Sequence, residues 1–225
     1  MAYSAGFSPH PRISWAGAAP TGTASEAEYV EIGVAERVDP DRLRAEFDAA
    51  LPPDLDILEI VEAATASLVD RLEASVWRIE LPQVEPDEAA KAVDAFLEAE
   101  TVEVGRLTKS GMRSFDARSA VVSLTVEDGL PKGGHKTRSS ACAILRVVVR
   151  HTTPAVRPDD VLTGLGSVGG LVPPVTPRVT RLAQGPLARS DAGTGAWPVA
   201  DPMTPDRSAS ANSGPASIES PDSGV

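Results

Sequence analysis

Cysteine is nearly missing from this 225-residue chain: Cys142 is the only one. A single thiol excludes a disulfide framework and every paired-cysteine zinc site. It also excludes an iron–sulfur cluster held by three cysteines of this chain. Cys142 sits in the apolar run Ala141-Cys142-Ala143-Ile144-Leu145 and reads as a buried small hydrophobe. Histidine is scarce as well, with His10, His135 and His151 too far apart in sequence for a metal-ligand spacing, so no metal site and no cofactor are expected. Aromatics make up 4% of the residues, leaving Ala and Val to carry the core. No stretch approaches the roughly 18 apolar residues of a membrane span. The opening Met1 to Gly6 has neither the basic nor the apolar region of a secretory signal. A cytoplasmic protein is expected. No H-E-x-x-H helix and no nucleophile elbow are present.

Charge is abundant and unevenly placed. The net charge is -11, yet residues 1–100 carry 7 Lys/Arg and 21 Asp/Glu, and residues 101–182 carry 12 and 6. An acidic half joined to a basic half speaks of partners rather than of fold. From about Ala183 the sequence loses its periodicity, and Ser208 to Val225 is too polar to offset its ordering entropy. A disordered tail is expected over 183–225.

Upstream, the same order of elements recurs twice. Glu26 to Val34 alternates apolar and polar positions as a half-buried strand does. Asp39 as N-cap and Pro40 at the first helical position then open a helix with Leu43, Phe47, Ala50 and Leu51 on one face, and Pro52-Pro53 stops it. Leu55 to Val61 returns as a strand. The second set comprises a strand at Val76 to Leu81 and a helix from Pro86 with Ala89, Ala92, Val93, Phe96 and Leu97 on one face. Strands follow at 102–107, 120–126 and 141–151, then a helix over Pro158 to Leu165 ended by Gly166, and a strand at Val175 to Leu182. The expected class is α+β, with two tandem ferredoxin-like (split β-α-β) units. The expected division is an acidic unit over 1–74, a basic unit over 75–182 and the tail. The first unit is short of its opening strand and helix, which reads as a trimmed domain or a late start codon.

The most distinctive run is Tyr3-Ser4-Ala5-Gly6-Phe7-Ser8-Pro9-His10-Pro11-Arg12-Ile13-Ser14-Trp15-Ala16. Pro9 and Pro11 stiffen a turn that holds His10 between extended pieces. This run, with Pro20-Thr21-Gly22, Leu107 to Gly111 and Arg113 to Arg118, resembles the radical SAM-linked (radical SAM-associated) family, a bacterial domain of unknown function. The likeness extends to about residue 182. It implies an opening basic strand and helix, and partnership with a radical SAM enzyme. For members standing alone, especially in actinobacteria, it implies a setting beside ribonuclease E/G and ribosomal-protein genes. A partner role around RNA modification or processing follows from the resemblance.

The residues expected to contact RNA phosphates are Arg106, Lys109, Arg113, Arg118, Lys132, Lys136 and Arg138, interspersed with Gly111, Gly129, Gly133 and Gly134. Phe115 is the lone aromatic among them, so base stacking is not expected and sequence reading is doubtful. Nothing points to DNA. Gly164 to Gly169 matches G-x-G-x-x-G, but it follows a helical pattern and Pro173-Pro174 forbids a helix soon after. Gly129 to Thr137 nears a Walker A loop, but His135 interrupts it. Three functions compete: a non-catalytic RNA-associated accessory protein whose acidic half faces a protein, an adaptor without RNA contact, and a small RNA-acting enzyme using His10. Solvated strand edges and hairpins are the bland alternative for every charged group named.

Overall fold

The computed structural model of the chain describes residues 1–5, 7–53, 55–65, 67–108, 111–127, 141–188 and 199–212. It is an α+β protein whose contacts divide it into two compact units. One comprises residues 1–14, 30–70 and 202–225, and the other residues 15–29 and 71–201.

The larger unit is built on a five-stranded sheet. Its members are β2 (Ala24–Ser25), β4 (Ala74–Pro82), β7 (Val121–Glu127), β8 (Cys142–Arg150) and β9 (Arg178–Gly185). The spatial order is β2-β9-β4-β8-β7. β4 pairs antiparallel with both β8 and β9, and β7 pairs antiparallel with β8. Helix α3 (Pro86–Glu98) lies between β4 and β7 in sequence, and α4 (Pro158–Gly169) lies between β8 and β9. Each helix thus links two strands that a third strand separates, which is two interleaved split β-α-β connections. A hairpin of β5 (Glu103–Thr108) and β6 (Gly111–Asp116) is inserted between α3 and β7.

Alternation along β4 explains the core. Trp77, Ile79 and Leu81 point to the helices and join Phe96, Val102, Leu145, Val147, Val161 and Leu165 in one buried cluster. The other face buries Ala74, Val76, Val148 and Val199 at one end. Further along that face, Arg78, Glu80, Glu127 and Arg146 form ion pairs of 3.3 Å (Arg78–Glu80), 3.8 Å (Arg78–Glu127) and 2.5 Å (Arg146–Glu127).

Helix α4 passes Gly166 and ends at Gly170, whose φ of +68° supplies the left-handed cap. The glycine spacing that imitates a dinucleotide loop has a packing cause. A Cβ on Gly164 would stand 2.7 Å from Phe96 Cε2, and one on Gly169 would stand 2.5 Å from Ala92 Cα. Two bare positions on one flank let α4 lie directly on α3.

Segment 15–29 belongs to this unit because Arg181, 3% exposed, needs it. Its guanidinium pairs with Glu28 and donates to Gly17 O at 2.5 Å and to Ser25 Oγ at 3.1 Å. It also lies over Trp77, 5.6 Å from the ring centre. The buried Gln184 amide donates to Ala27 O at 2.7 Å.

The smaller unit departs most from the tandem expectation. β1 (Ile13–Ala16) and β3 (Tyr29–Ile32) form a two-stranded sheet, α1 (Pro40–Ala50) has Asp39 as its cap, accepting from the Asp41 N–H at 3.0 Å, and α2 is the single turn Leu68–Arg71. The expected strand at 55–61 does not form. Ile57 gives its N–H to Asp48 at 2.9 Å and its carbonyl to Arg44 at 3.5 Å, so side chains occupy groups a neighbouring strand would need. The segment read as tail is ordered in part. β9 runs to Gly185, Leu187 bridges Val199, and α5 (Thr204–Asn212) sits in the smaller unit. There the buried Asp206 carboxylate accepts from the Ala64 N–H at 3.0 Å, the Thr65 N–H at 2.9 Å and the Thr65 hydroxyl at 2.7 Å. Residues 213–225 lie outside the described part.

Candidate nucleic-acid interface

Hairpin β5–β6 is where the basic stretch becomes a shape. Its strands pair in register from Glu103 opposite Asp116 to Thr108 opposite Gly111, and Arg106 faces Arg113 across the ladder. The base is anchored. Val104 is buried, and the Asp116 carboxylate accepts from the backbone N–H groups of Val102 (2.9 Å), Arg118 (2.9 Å) and Ser119 (3.2 Å). Burial pushes the Asp116 carboxyl up, but the hydrogen bonds from Val102, Arg118 and Ser119 outweigh it and hold the pKa below the usual carboxylate value. Beyond the base the hairpin is bare: Leu107 is 76% exposed, Met112 73%, and Gly111, Arg113 and Ser114 are exposed as well.

The candidate cations separate into three groups. Arg106 is committed to the fold. Its Nε donates to Asp160 Oδ1 at 3.2 Å, its Nη2 pairs with Asp160 Oδ2 and donates to Ala155 O at 3.0 Å, and the guanidinium lies 5.0 Å from the Phe115 ring centre. Arg118 is likewise engaged, donating to Val121 O at 3.2 Å and to Leu97 O in the last turn of α3 at 3.4 Å. Arg113 is exposed and has no ion pair among the described residues. Lys109, Lys132, Lys136 and Arg138 lie outside the described residues, as do Gly129, Gly133, Gly134 and the near-Walker segment. The connection that carries Lys132, Lys136 and Arg138 leaves β7 after Glu127, while the hairpin joins β7 just before Val121. Seven residues of strand, about 20 Å, separate the two attachment points. Asp160, the residue that decides the fate of Arg106, escaped the sequence reading. Its only signal was its place in the first turn of a Pro-led helix, where it also accepts the Arg157 N–H at 2.7 Å.

The motif loop Tyr3 to Pro11 is a small hairpin in the smaller unit. Tyr3 bridges Pro11, Ser4 N–H donates to His10 O at 2.8 Å, and His10 N–H donates to Ser4 Oγ at 3.1 Å. His10 closes the loop with its backbone. Its ring is exposed and makes no hydrogen bond among the described residues. Phe7 is fully exposed, Pro9 is exposed, and Gly6 lies outside the described residues.

Another histidine has the more developed surroundings. His151 Nδ1 is 2.6 Å from Leu72 O, which can only accept, so that nitrogen carries the proton. Nε2 therefore accepts from the Ser75 hydroxyl at 2.8 Å. The arrangement imitates a catalytic pair, but Ser75 is 1% exposed and no substrate reaches its oxygen. Although much of the residue's surface is open, loss of hydration around the ring lowers the imidazole pKa. Arg181 adds to this, and the Leu72 hydrogen bond opposes it. A depressed folded-state pKa means that the unfolded chain takes the proton first. The contribution of His151 is full above its unfolded value of about 6.5 and declines as pH falls below it. Urea midpoints between pH 7.5 and 5.5 are expected to fall less in His151→Gln than in the parent chain.

Cys142 is half-buried, and burial, followed by the nearby Glu80, raises its pKa and keeps it a thiol. A cavity of about 440 Å³ beside the start of α4 is lined by Thr21, Thr23, Arg157, Asp159 and Val179 among others. Its cation is offset by a carboxylate. No cluster of three metal-ligating side chains occurs among the described residues, and none of their helices is long and apolar enough to cross a membrane.

A split β-α-β sheet with an inserted hairpin defines the class of structure. The chain belongs to a family described as an uncharacterized protein conserved in bacteria (DUF2344), whose profile matches residues 1–158. No curated protein and no solved structure matches it.

Proposed function

We propose that this protein is a non-catalytic, cytoplasmic accessory factor that holds RNA through the β5–β6 hairpin. The observation that carries the reading is the exposed Arg113 on an arm whose base is fixed by Asp116, Val104 and the Arg106–Asp160 pair, with Lys109 next along the sequence. A cation on an arm anchored at its base contacts phosphate with a reduced ordering cost. The sheet face turned away from the helices supports phosphate contact rather than base reading, because its Arg78, Glu80, Glu127 and Arg146 are tied to one another and offer no aromatic platform. The resemblance to radical SAM-linked proteins makes a radical SAM enzyme or a ribonuclease E/G-type protein the partner to test first.

Filter binding of the full chain to single-stranded RNA at several salt concentrations tests this. Reversing both charges in Lys109→Glu/Arg113→Glu is expected to weaken binding by about tenfold or more and to flatten the salt slope by about 1.4, or 0.7 for each phosphate no longer neutralised. An unchanged affinity and slope would remove the hairpin from the interface. A second reading, a protein-docking arm, is favoured by Leu107 and Met112, which face each other in the ladder and are both largely exposed. Under it, Leu107→Ser/Met112→Ser abolishes capture of the partner and leaves RNA binding as it was.

A further inference from the structure

The smaller unit has elements but little interior among its described residues. Among its described residues only Leu68, Pro202 and Asp206 are buried, and α1 buries none of its side chains. Yet α1 is patterned to be covered: Leu43, Phe47 and Leu51 recur at every fourth position along one stripe, and all three remain half-buried. The segment that runs back beside α1, joined to it by Asp48 and Arg44 at Ile57, leaves Leu55 49% and Leu58 85% exposed. A helix this short is not held by propensity alone; it needs a packed face.

The charge of the unit says what can supply that face. Its three segments carry 5 Lys/Arg against 14 Asp/Glu, a net of −9, while the whole chain stands at −11. Asp41, Glu36 and Asp56 surround the stripe in sequence and form no ion pair among the described residues, the neighbouring Arg37 and Arg42 being paired instead with Glu62 and Glu46. A second copy would bring the same −9 and be repelled, and a nucleic acid would bring phosphates. We infer that the α1 face docks an amphipathic helix of another protein, apolar on one side and lysine- or arginine-rich at its rim. The site is independent of the RNA-binding hairpin and stands on a different observation.

The probe is a synthetic amphipathic peptide of about 18 residues built of Leu and Lys with helical periodicity, titrated into the full chain. Two controls accompany it: a scrambled peptide of the same composition, and a Leu/Glu peptide of the same periodicity. Binding at least tenfold tighter than either control is expected, together with slowed amide exchange over residues 43–51. Asp41→Lys/Asp56→Lys, which leaves the stripe intact, is expected to weaken binding by about tenfold at low salt and by much less at high salt. RNA binding of that variant is expected to be undiminished. Equal binding of the scrambled peptide would reduce the contact to charge alone and overturn the inference. Equal binding of the Leu/Glu peptide would do the same by removing charge. Concentration-dependent dimerisation of the chain that protects α1 would assign the face to a second copy instead.

Discussion

Asp160→Ala is expected to cost about 3 kcal/mol of stability, the low end of the range for removing one partner of a buried ion pair. The side chain of Asp160 is 9% exposed and its carboxylate serves two donors, the Arg106 guanidinium and the Arg157 N–H. Its loss leaves the guanidinium with the Ala155 carbonyl and the Phe115 ring as compensation. Arg106 also keeps a quarter of its side-chain surface in solvent, which argues for the low end. At a urea m-value of about 2 kcal/mol/M the midpoint falls by about 1.5 M. Arg106→Ala is expected to cost a comparable amount, because it leaves the more deeply buried Asp160 carboxylate with only the Arg157 N–H. A midpoint shift below about 0.3 M for Asp160→Ala would show that the hairpin is anchored elsewhere.

Gly169→Val is expected to destabilise by about 3 kcal/mol through overpacking. The added Cβ meets Ala92 Cα at 2.5 Å, Ala92 Cβ at 2.7 Å and Ala92 O at 3.1 Å, and two of those three atoms are backbone. No side-chain rotation relieves such a clash, so α3 and α4 must part. Gly166→Ala is the matched control. Its Cβ meets only Leu171 O, at 3.2 Å, and the helix-propensity gain of about 1 kcal/mol is available to offset that approach. Thermal or urea unfolding of the two checks this, and a Gly169→Val variant as stable as the parent would show that α3 and α4 do not depend on this close approach.

Local chemistry was legible in the sequence wherever one residue fixes a boundary. Asp39 with Pro40 announced α1, Pro86 announced α3, and strands were expected where β4, β5, β7 and β8 lie. What failed depends on partners far along the chain. Nothing near Leu55 says that Asp48 will take the Ile57 N–H in place of a strand, and nothing near Thr204 says that Asp206 will find Ala64 and Thr65. Gly166 looked like a helix end because the close passage of α3, which accounts for Gly164 and Gly169 inside α4, cannot be seen from one helix. The site shows the same limit. Arg106, Arg113 and Arg118 are equal as letters, but Asp160, 54 residues beyond Arg106, withdraws the first of them from the surface. Spacing records where cations are; it does not record which are already spoken for.

The interleaving of the larger unit has a consequence for how the chain is made. β4 is the central strand, but its two neighbours are synthesised much later, Trp77 meeting Val147 on one side and Arg181 on the other. Glu28 waits for Arg181, 153 positions away, and Ala64 for Asp206, 142 away. Closing such loops precedes any reward from them, which places folding among the slower topologies, milliseconds to seconds rather than microseconds. A nascent chain therefore emerges with the Trp77–Ile79–Leu81 strip only partly covered, by α3, until β8, α4 and β9 have followed.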